Sequence, residues 1–256
     1  MSIKVMAMSD THCGSDVGLT PPEWDKGPKA NPEAYARRRA MWNWFEESRP
    51  RKVDVVLFNG DAIDGKGKAS DGSELLYADW DDQVNMSIEI IKSLGAKEVV
   101  MSYGTAYHTG KDKDFEDDIA QRLGATISSV PQVTIGNTTF DMRHHLGRSS
   151  ILKGRLNAVL GEVDVAREWA RRGEYPLADV LIRSHVHYFG AALVRDILAM
   201  TLPSLQAYGT KYGSRRVSGT VDVGFVTFNV KGPEPMDFDW DVNLWTAPFQ
   251  KPQVIK

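Results

Sequence analysis

Apolar positions along this chain alternate between short continuous runs and helical stripes. Lys4 to Ser9 and Val53 to Asn59 are brief, nearly unbroken apolar runs, which predicts strands covered on both faces. Between them, Pro32 to Ser48 opens at a proline and sets Met41, Trp42 and Phe45 on one side, predicting a helix. A second helix is predicted over 82 to 94, where Val84, Ile88, Ile91 and Leu94 recur at near-helical spacing and Gly95 supplies a C-cap. Glu98 to Ser102 reads as a third strand, and Phe115, Ile119 and Leu123 mark a short helix after it. This β-α-β-α-β order predicts an α/β fold with a largely parallel sheet.

Beyond Gly124 the pattern changes. Gln132 to Ile135 and Thr138 to Met142 flank Gly136-Asn137, a strong tight-turn signal. Helix 151 to 172 would bury Val159, Val163, Ala166 and Ala170, and strand Asp179 to Arg183 follows. From 190 to 231 short apolar runs alternate with Gly and Pro, which predicts a second, antiparallel sheet. Trp240, Trp245 and Phe249 predict that the tail from 232 to 256 packs on the body or on a partner. With no linker, repeat or low-complexity tract, residues 1 to 256 read as a single domain.

Composition narrows the function classes. A chain of 256 residues, 42% hydrophobic and 25% charged, is an ordinary globular protein able to bury a substantial core. The apolar stretch Ile3 to Met8 is too short for a signal segment or a membrane span, so a cytoplasmic protein without membrane contact is expected. A single cysteine, Cys13, excludes an internal disulfide and a thiolate zinc cage; it reads as a small bystander. A net charge of -3 excludes non-specific coating of nucleic acid and leaves room for a local basic groove. Nothing in the chain signals an oligomeric state.

The candidate chemistry lies in the histidines. All six fall in Asp10-Thr11-His12, at His108, in His144-His145 and in His185-Val186-His187, and Gly60-Asp61-Ala62-Ile63-Asp64-Gly65 stands between the first two groups. Each group follows a segment predicted as a strand. In open α/β sheets the residues just past the carboxyl ends of strands converge on one crevice, so Asp10, His12, Asp61 and His108 should share a rim. A second sheet packed on the first would bring His144, His185 and His187 to it from the other side. Taken singly, these are a capped turn, a turn-rich loop and surface or core imidazoles. Together they are an oxygen and nitrogen donor set that suits Mn, Fe, Zn or Ni better than Ca or Mg, and metal-dependent hydrolysis is the leading reading.

The ordered series Asp-x-His, Gly-Asp-x-x-Asp-Gly, Gly-x-x-x-His, His-His and His-x-His, spanning residues 10 to 187, resembles the calcineurin-like metallophosphoesterase superfamily. That resemblance implies a two-sheet β-sandwich flanked by helices in four α/β/β/α layers, with two divalent metal ions bridged by an aspartate. Carried onto this chain, Asp10, His12 and His187 would bind the first ion, His144 and His185 the second, and Asp61 both. Asp64 would orient a ligand imidazole or support its loop. One block departs from the family pattern of Gly-Asn-His followed by Asp or Glu: here Gly104-Thr105-Ala106-Tyr107-His108 has no Asn. Either Thr105 or a water takes the missing ligand position and His108 serves as the acid, or His108 is itself a ligand. Variants with a Gly-Thr-x-x-His block are frequent among phage and prophage proteins.

The function so implied is a phosphodiesterase or nuclease in which a metal-bridging hydroxide attacks phosphorus. His108 or His145 would protonate the leaving oxygen. A phosphomonoesterase is the near neighbour, and a non-catalytic binding or assembly protein of the same fold is the alternative class. The expected partner is a phosphoester substrate, with nucleic acid and nucleotides as candidates. Thr105, Arg143, Arg148 and Lys66 are candidate substrate contacts, with Arg155, Lys68, Trp24 and Lys26 as further possibilities. The irregular stretch from Cys13 to Asn31 would form a lid or a substrate wall.

Overall fold

The structure, a computed structural model, describes residues 2–27, 31–67, 71–110, 112–147, 152–209, 220–232 and 234–247. In chain order the first half contributes β1 (Ile3–Met8), α1 (Pro32–Ser48), β2 (Val55–Asn59), α2 (Trp80–Ser93), β3 (Glu98–Ser102), α3 (Ala106–Thr109), α4 (Phe115–Leu123) and β4 (Thr126–Ser128). The second half contributes β5 (Gln132–Ile135), β6 (Thr138–Arg143), α5 (Arg155–Arg172), β7 (Val180–Arg183), β8 (Gly190–Val194), β9 (Ile197–Thr201), β10 (Val223–Val230) and β11 (Phe238–Trp245).

These strands form two sheets, ordered β11-β10-β1-β2-β3-β4 and β5-β6-β7-β9-β8. Alternation along each strand explains the layering. In β1 and β2, Met6, Met8, Val56 and Phe58 face outward into a core shared with Met41 and Phe45 of α1 and Val84 and Ile91 of α2. Val5, Ala7, Val55 and Leu57 face inward, against Phe140, Val180 and Ile182 of the other sheet. On the far side α5 lays Val159 and Val163 over Leu181 and Ala199. The result is an α/β/β/α sandwich, and both faces of its central strands are covered, which is why their sequences read as continuous apolar runs.

Two expectations are corrected. The second sheet is mixed rather than antiparallel: β6, β7 and β9 run parallel, and only β5 and β8 reverse. It also begins at residue 132, while β10 crosses back to pair antiparallel with β1. Without that crossing, β1 would present an open apolar edge. Within the tail, Phe238–Trp245 is itself a strand on β10, and Phe249 lies outside the described residues.

The stretch after Cys13 is strapped down where it is described. Cys13 bridges to Ile63 and Gly18 to Gln206. The Asp25 carboxylate accepts from Arg39 and from the buried Arg38, each at 2.9 Å, tying the stretch to α1. Trp24 donates to Glu89, and the Lys26 ammonium lies 3.9 Å over the Tyr77 ring, so both are engaged with the protein itself. No helix of the described residues is long and apolar enough to cross a membrane.

One buried side chain joins the two sheets at the site end. The Asn59 amide donates to the Arg143 carbonyl (3.1 Å) and the Ser184 hydroxyl (2.7 Å), and its oxygen accepts from Ser102 (2.7 Å). Asn59→Ala should therefore lower stability by about 1–3 kcal/mol through its unpaired partners. The check is a fall in the denaturant midpoint at constant m-value; an unchanged midpoint would show that the sheets do not depend on this tie.

Candidate metal centre

The strand ends gather the donors. Asp10 and His12 follow β1, Asp61 and Asp64 follow β2, Thr105 and His108 follow β3, His144 follows β6, and His185 and His187 follow β7. Asp10, His12, Asp61, His185 and His187 all adopt left-handed backbone, with φ between 43° and 72°. Each such residue costs on the order of 1 kcal/mol, and the turn it makes aims its side chain back over the strand end. Two glycines allow the loops to touch. A Cβ on Gly60 would stand 2.6 Å from His144 Nδ1, and one on Gly104 would stand 2.2 Å from Asp61 N.

The donor atoms form two sets. In the first, His187 Nε2 lies 3.2 Å from Asp10 Oδ1 and 3.3 Å from His12 Nε2, which is itself 4.0 Å from Asp61 Oδ2. In the second, His144 Nε2 lies 3.0 Å from the same Asp61 Oδ2, and His185 completes the group. His108 groups with His12 and Asp61, on the side of the first set. The imidazoles are oriented from behind. His12 Nδ1 faces Asp64 Oδ1 at 2.9 Å, His144 Nδ1 donates to the Asn59 carbonyl at 2.8 Å, and His108 Nδ1 donates to the Asp64 carbonyl at 3.0 Å. In each ring Nε2 is left for the cluster. Among the described residues, Asp10 Oδ1 and His144 Nε2 are buried without a hydrogen-bond partner. Buried carboxylate and imidazole donors that converge in this way fit a pair of divalent cations, which would displace the proton His144 holds beside Asp61.

The family model for calcineurin-like phosphoesterases matches residues 3–189, and so includes every one of these donors. This chain belongs to that family. Among solved structures, the phosphoesterase is similar to an archaeal phosphodiesterase (17% identity, TM-score 0.45, covering 94% of this chain and 100% of that one). It is also similar to Vps29 of Chaetomium thermophilum in complex with a cyclic peptide (14%, 0.48, 97% and 100%). A third is a predicted phosphoesterase of Streptococcus pneumoniae TIGR4 (13%, 0.41, 95% and 99%). No curated protein sequence matches the chain.

Electrostatics in this phosphoesterase follow from crowding. Burial alone would raise the Asp10 carboxyl, but the His187 and His144 imidazoles outweigh it and hold the group at about 2. Asp61 is likewise drawn well below the ordinary carboxylate range, against burial, by His144, His12 and His108. His144 moves the opposite way: burial disfavours its charge, yet Asp61 and Asp10 lift it to about 10. His185 is pushed down to about 4 by burial and by the neighbouring His144. Burial and His12 lower His108.

The remaining candidates divide. His145 is exposed and stacks on the His185 ring at 4.7 Å. Thr105 reaches the cluster, with Oγ1 3.3 Å from Asp61 Oδ2 and 3.2 Å from His185 Nδ1. Arg143 does not engage the cluster: its guanidinium stacks over Trp169 at 4.1 Å and lies 3.6 Å from Asp141, because an aromatic face and a carboxylate flank it there. Arg155 lies over Tyr188 and donates to Thr220. Lys66 is exposed on the turn after Asp64, and Arg148 and Lys68 lie outside the described residues. Cys13 is buried, which pushes its thiol up to about 12 and leaves it unreactive.

Three supports escaped the sequence reading. Buried Gln83 accepts from the Asp64 and Gly65 amides and donates to the Gly65 carbonyl. The buried Glu116 carboxylate accepts from Ala62 N (2.9 Å) and Gly104 N (2.6 Å). Gln206 donates to Asp64 Oδ1 at 3.3 Å. Gln83 and Glu116 left a trace, since each is a polar residue at helical spacing from buried apolar ones, Gln83 with Ile90 and Glu116 with Ile119 and Ala120. Gln206 sits in irregular chain and left none.

Two outcomes follow. Gly104→Ala places a methyl 2.4 Å from Asp61 Oδ1; metal affinity, read by calorimetry, should fall by at least about tenfold, and unchanged affinity would mean that the carboxylate has room to spare. His144 holds its proton up to about 10 in the ion-free cluster, so affinity should rise with pH toward that value. Metal uptake at pH 8 should release at least about one proton per chain. Binding heats that do not vary with the ionisation enthalpy of the buffer would exclude that release.

Proposed function

We propose that this phosphoesterase is a two-metal phosphodiesterase. Asp10, His12 and His187 would hold one divalent ion, His144 and His185 a second, and Asp61 would serve both. The observation that supports this most directly is the meeting of two donor sets at one oxygen, Asp61 Oδ2, 3.0 Å from His144 Nε2 and 4.0 Å from His12 Nε2. Mn, Fe, Zn and Ni are the ions this donor chemistry suits. When bound, such a pair supplies Lewis acidity and a water of lowered pKa at phosphorus.

The chain's own groups do the rest. Asp64 and the Asn59 carbonyl fix the rings of His12 and His144 through Nδ1. His108 keeps Nδ1 on the Asp64 carbonyl, so Nε2 is the atom that would pass a proton to the leaving oxygen, and it does so only from the charged imidazolium, which burial and His12 disfavour. His145, exposed beside His185, is the group placed to touch substrate at the rim.

Among the described residues no lysine or arginine pairs with Asp10, Asp61 or Asp64, whose ionic neighbours are all histidines, so these carboxylates keep their charge for the ions. A diester rather than a monoester is the substrate this reading proposes. Nucleic acids and nucleotides are the diesters this reading names.

The test is Mn²⁺-dependent hydrolysis of a bis-aryl phosphodiester against the matching monoester, with wild type and Asp61→Asn side by side. Diester turnover should exceed monoester turnover and fall on the order of 10³-fold in the mutant, together with metal content. Preference for the monoester would make the protein a phosphatase. No turnover of either ester after reconstitution with several metals would favour a binding or assembly role for the fold.

A further inference from the structure

We infer that the Thr105 hydroxyl is a ligand of the second metal ion, completing the set begun by Asp61, His144 and His185; this rests on the two-metal reading above. Metal–ligand bonds of about 2.0–2.2 Å place neighbouring donors on one ion roughly 2.8–3.6 Å apart. Thr105 Oγ1 meets that spacing twice, at 3.3 Å from Asp61 Oδ2 and 3.2 Å from His185 Nδ1, while His144 Nε2 and Asp61 Oδ2 are 3.0 Å apart. The placement is built into the backbone, since Thr105 N donates to Asp61 Oδ1 at 2.6 Å. One residue therefore fixes one carboxylate oxygen with its amide and stands beside the other with its hydroxyl.

His108 does not fill this position. Its Nδ1 is committed to the Asp64 carbonyl, and its donor atom groups with His12 and Asp61 rather than with His144 and His185.

The two ions are then held unequally. The first set has two carboxylates, Asp10 and Asp61, whereas the second has only the shared Asp61, two imidazoles and a neutral hydroxyl. Loading is sequential, and the second ion is the weaker by virtue of its ligand charges.

The experiment is a calorimetric titration of chelator-stripped full-length protein with MnCl₂, with electron paramagnetic resonance reporting spin coupling between paired ions. Wild type should bind two ions in separable steps. Thr105→Val keeps the shape of the side chain and the amide hydrogen bond, and removes only the hydroxyl. Its second step should weaken by at least about tenfold and the first by less than about threefold, with loss of the coupled signal. Thr105→Ser should restore the second step. A second step in Thr105→Val as tight as in wild type overturns the assignment and leaves the two-metal reading standing. Loss of both steps in Thr105→Val, or no restoration by Thr105→Ser, also overturns it, as evidence of a structural role. A wild-type protein that binds at most one ion overturns both.

Discussion

The position of the Asp61 carboxylate is the constraint on which the rest of the rim depends. Oδ1 is anchored by the Thr105 amide, and Oδ2 faces both donor sets. Asp10, Asp61 and Glu116 are fully buried near one another, and Asp64 is close to them. Buried anions are tolerated only where cations or hydrogen bonds compensate them. For Asp10 and Asp61 the compensation comes from imidazoles, which brings the ends of β1, β2 and β3 from one sheet against those of β6 and β7 from the other, whereas Glu116, its carboxyl pushed up to about 8 by burial, is met by the Ala62 and Gly104 amides. Asn59 is where this convergence becomes a bond, reaching Ser102 in its own sheet and Arg143 and Ser184 across the sandwich.

Strain accompanies this placement. Five donor-bearing residues sit in left-handed backbone that only glycine adopts freely. The surrounding main chain holds them there: Asp10 N donates to Gly60 O, His12 N to Asp61 O, Leu205 N to Asp10 O, and Asp222 N to His187 O. Gln83 and Glu116 add side-chain hydrogen bonds under the Asp64 and Asp61 turns. A frame of this kind holds the donor atoms close together, which lowers the reorganisation that binding an ion would require.

The third strand-end loop contributes both backbone and chemistry. Thr105 N donates to Asp61 Oδ1 and Gly104 N donates to the Glu116 carboxyl, which packs this loop against the Asp61 turn. The side chain it sets beside Asp61 and His185 is a hydroxyl on a short stem. His108, three residues along on α3, keeps its own separate partner in Asp64.

Much of the frame could be read from the chain. The runs over 4–9 and 53–59 announced buried strands, and the helix expected over 82–94 occupies Trp80–Ser93 with Asp79 as its N-cap. The residues past the strands were legible as donors because strand and turn are local, set by neighbours a few positions away. The course of β10 was not, because its pairing with β1 joins residues 223–230 to 3–8. For the same reason the direction of Arg143 toward Trp169, the brace from Gln206 and the reach of Thr105 to His185 were not legible. The sequence by itself determined which chemical groups stand at the strand ends. Only the tertiary structure decided which of them share a set, because distances of about 3 Å between donors far apart in the chain are fixed by how the two sheets pack, and packing is not a local property.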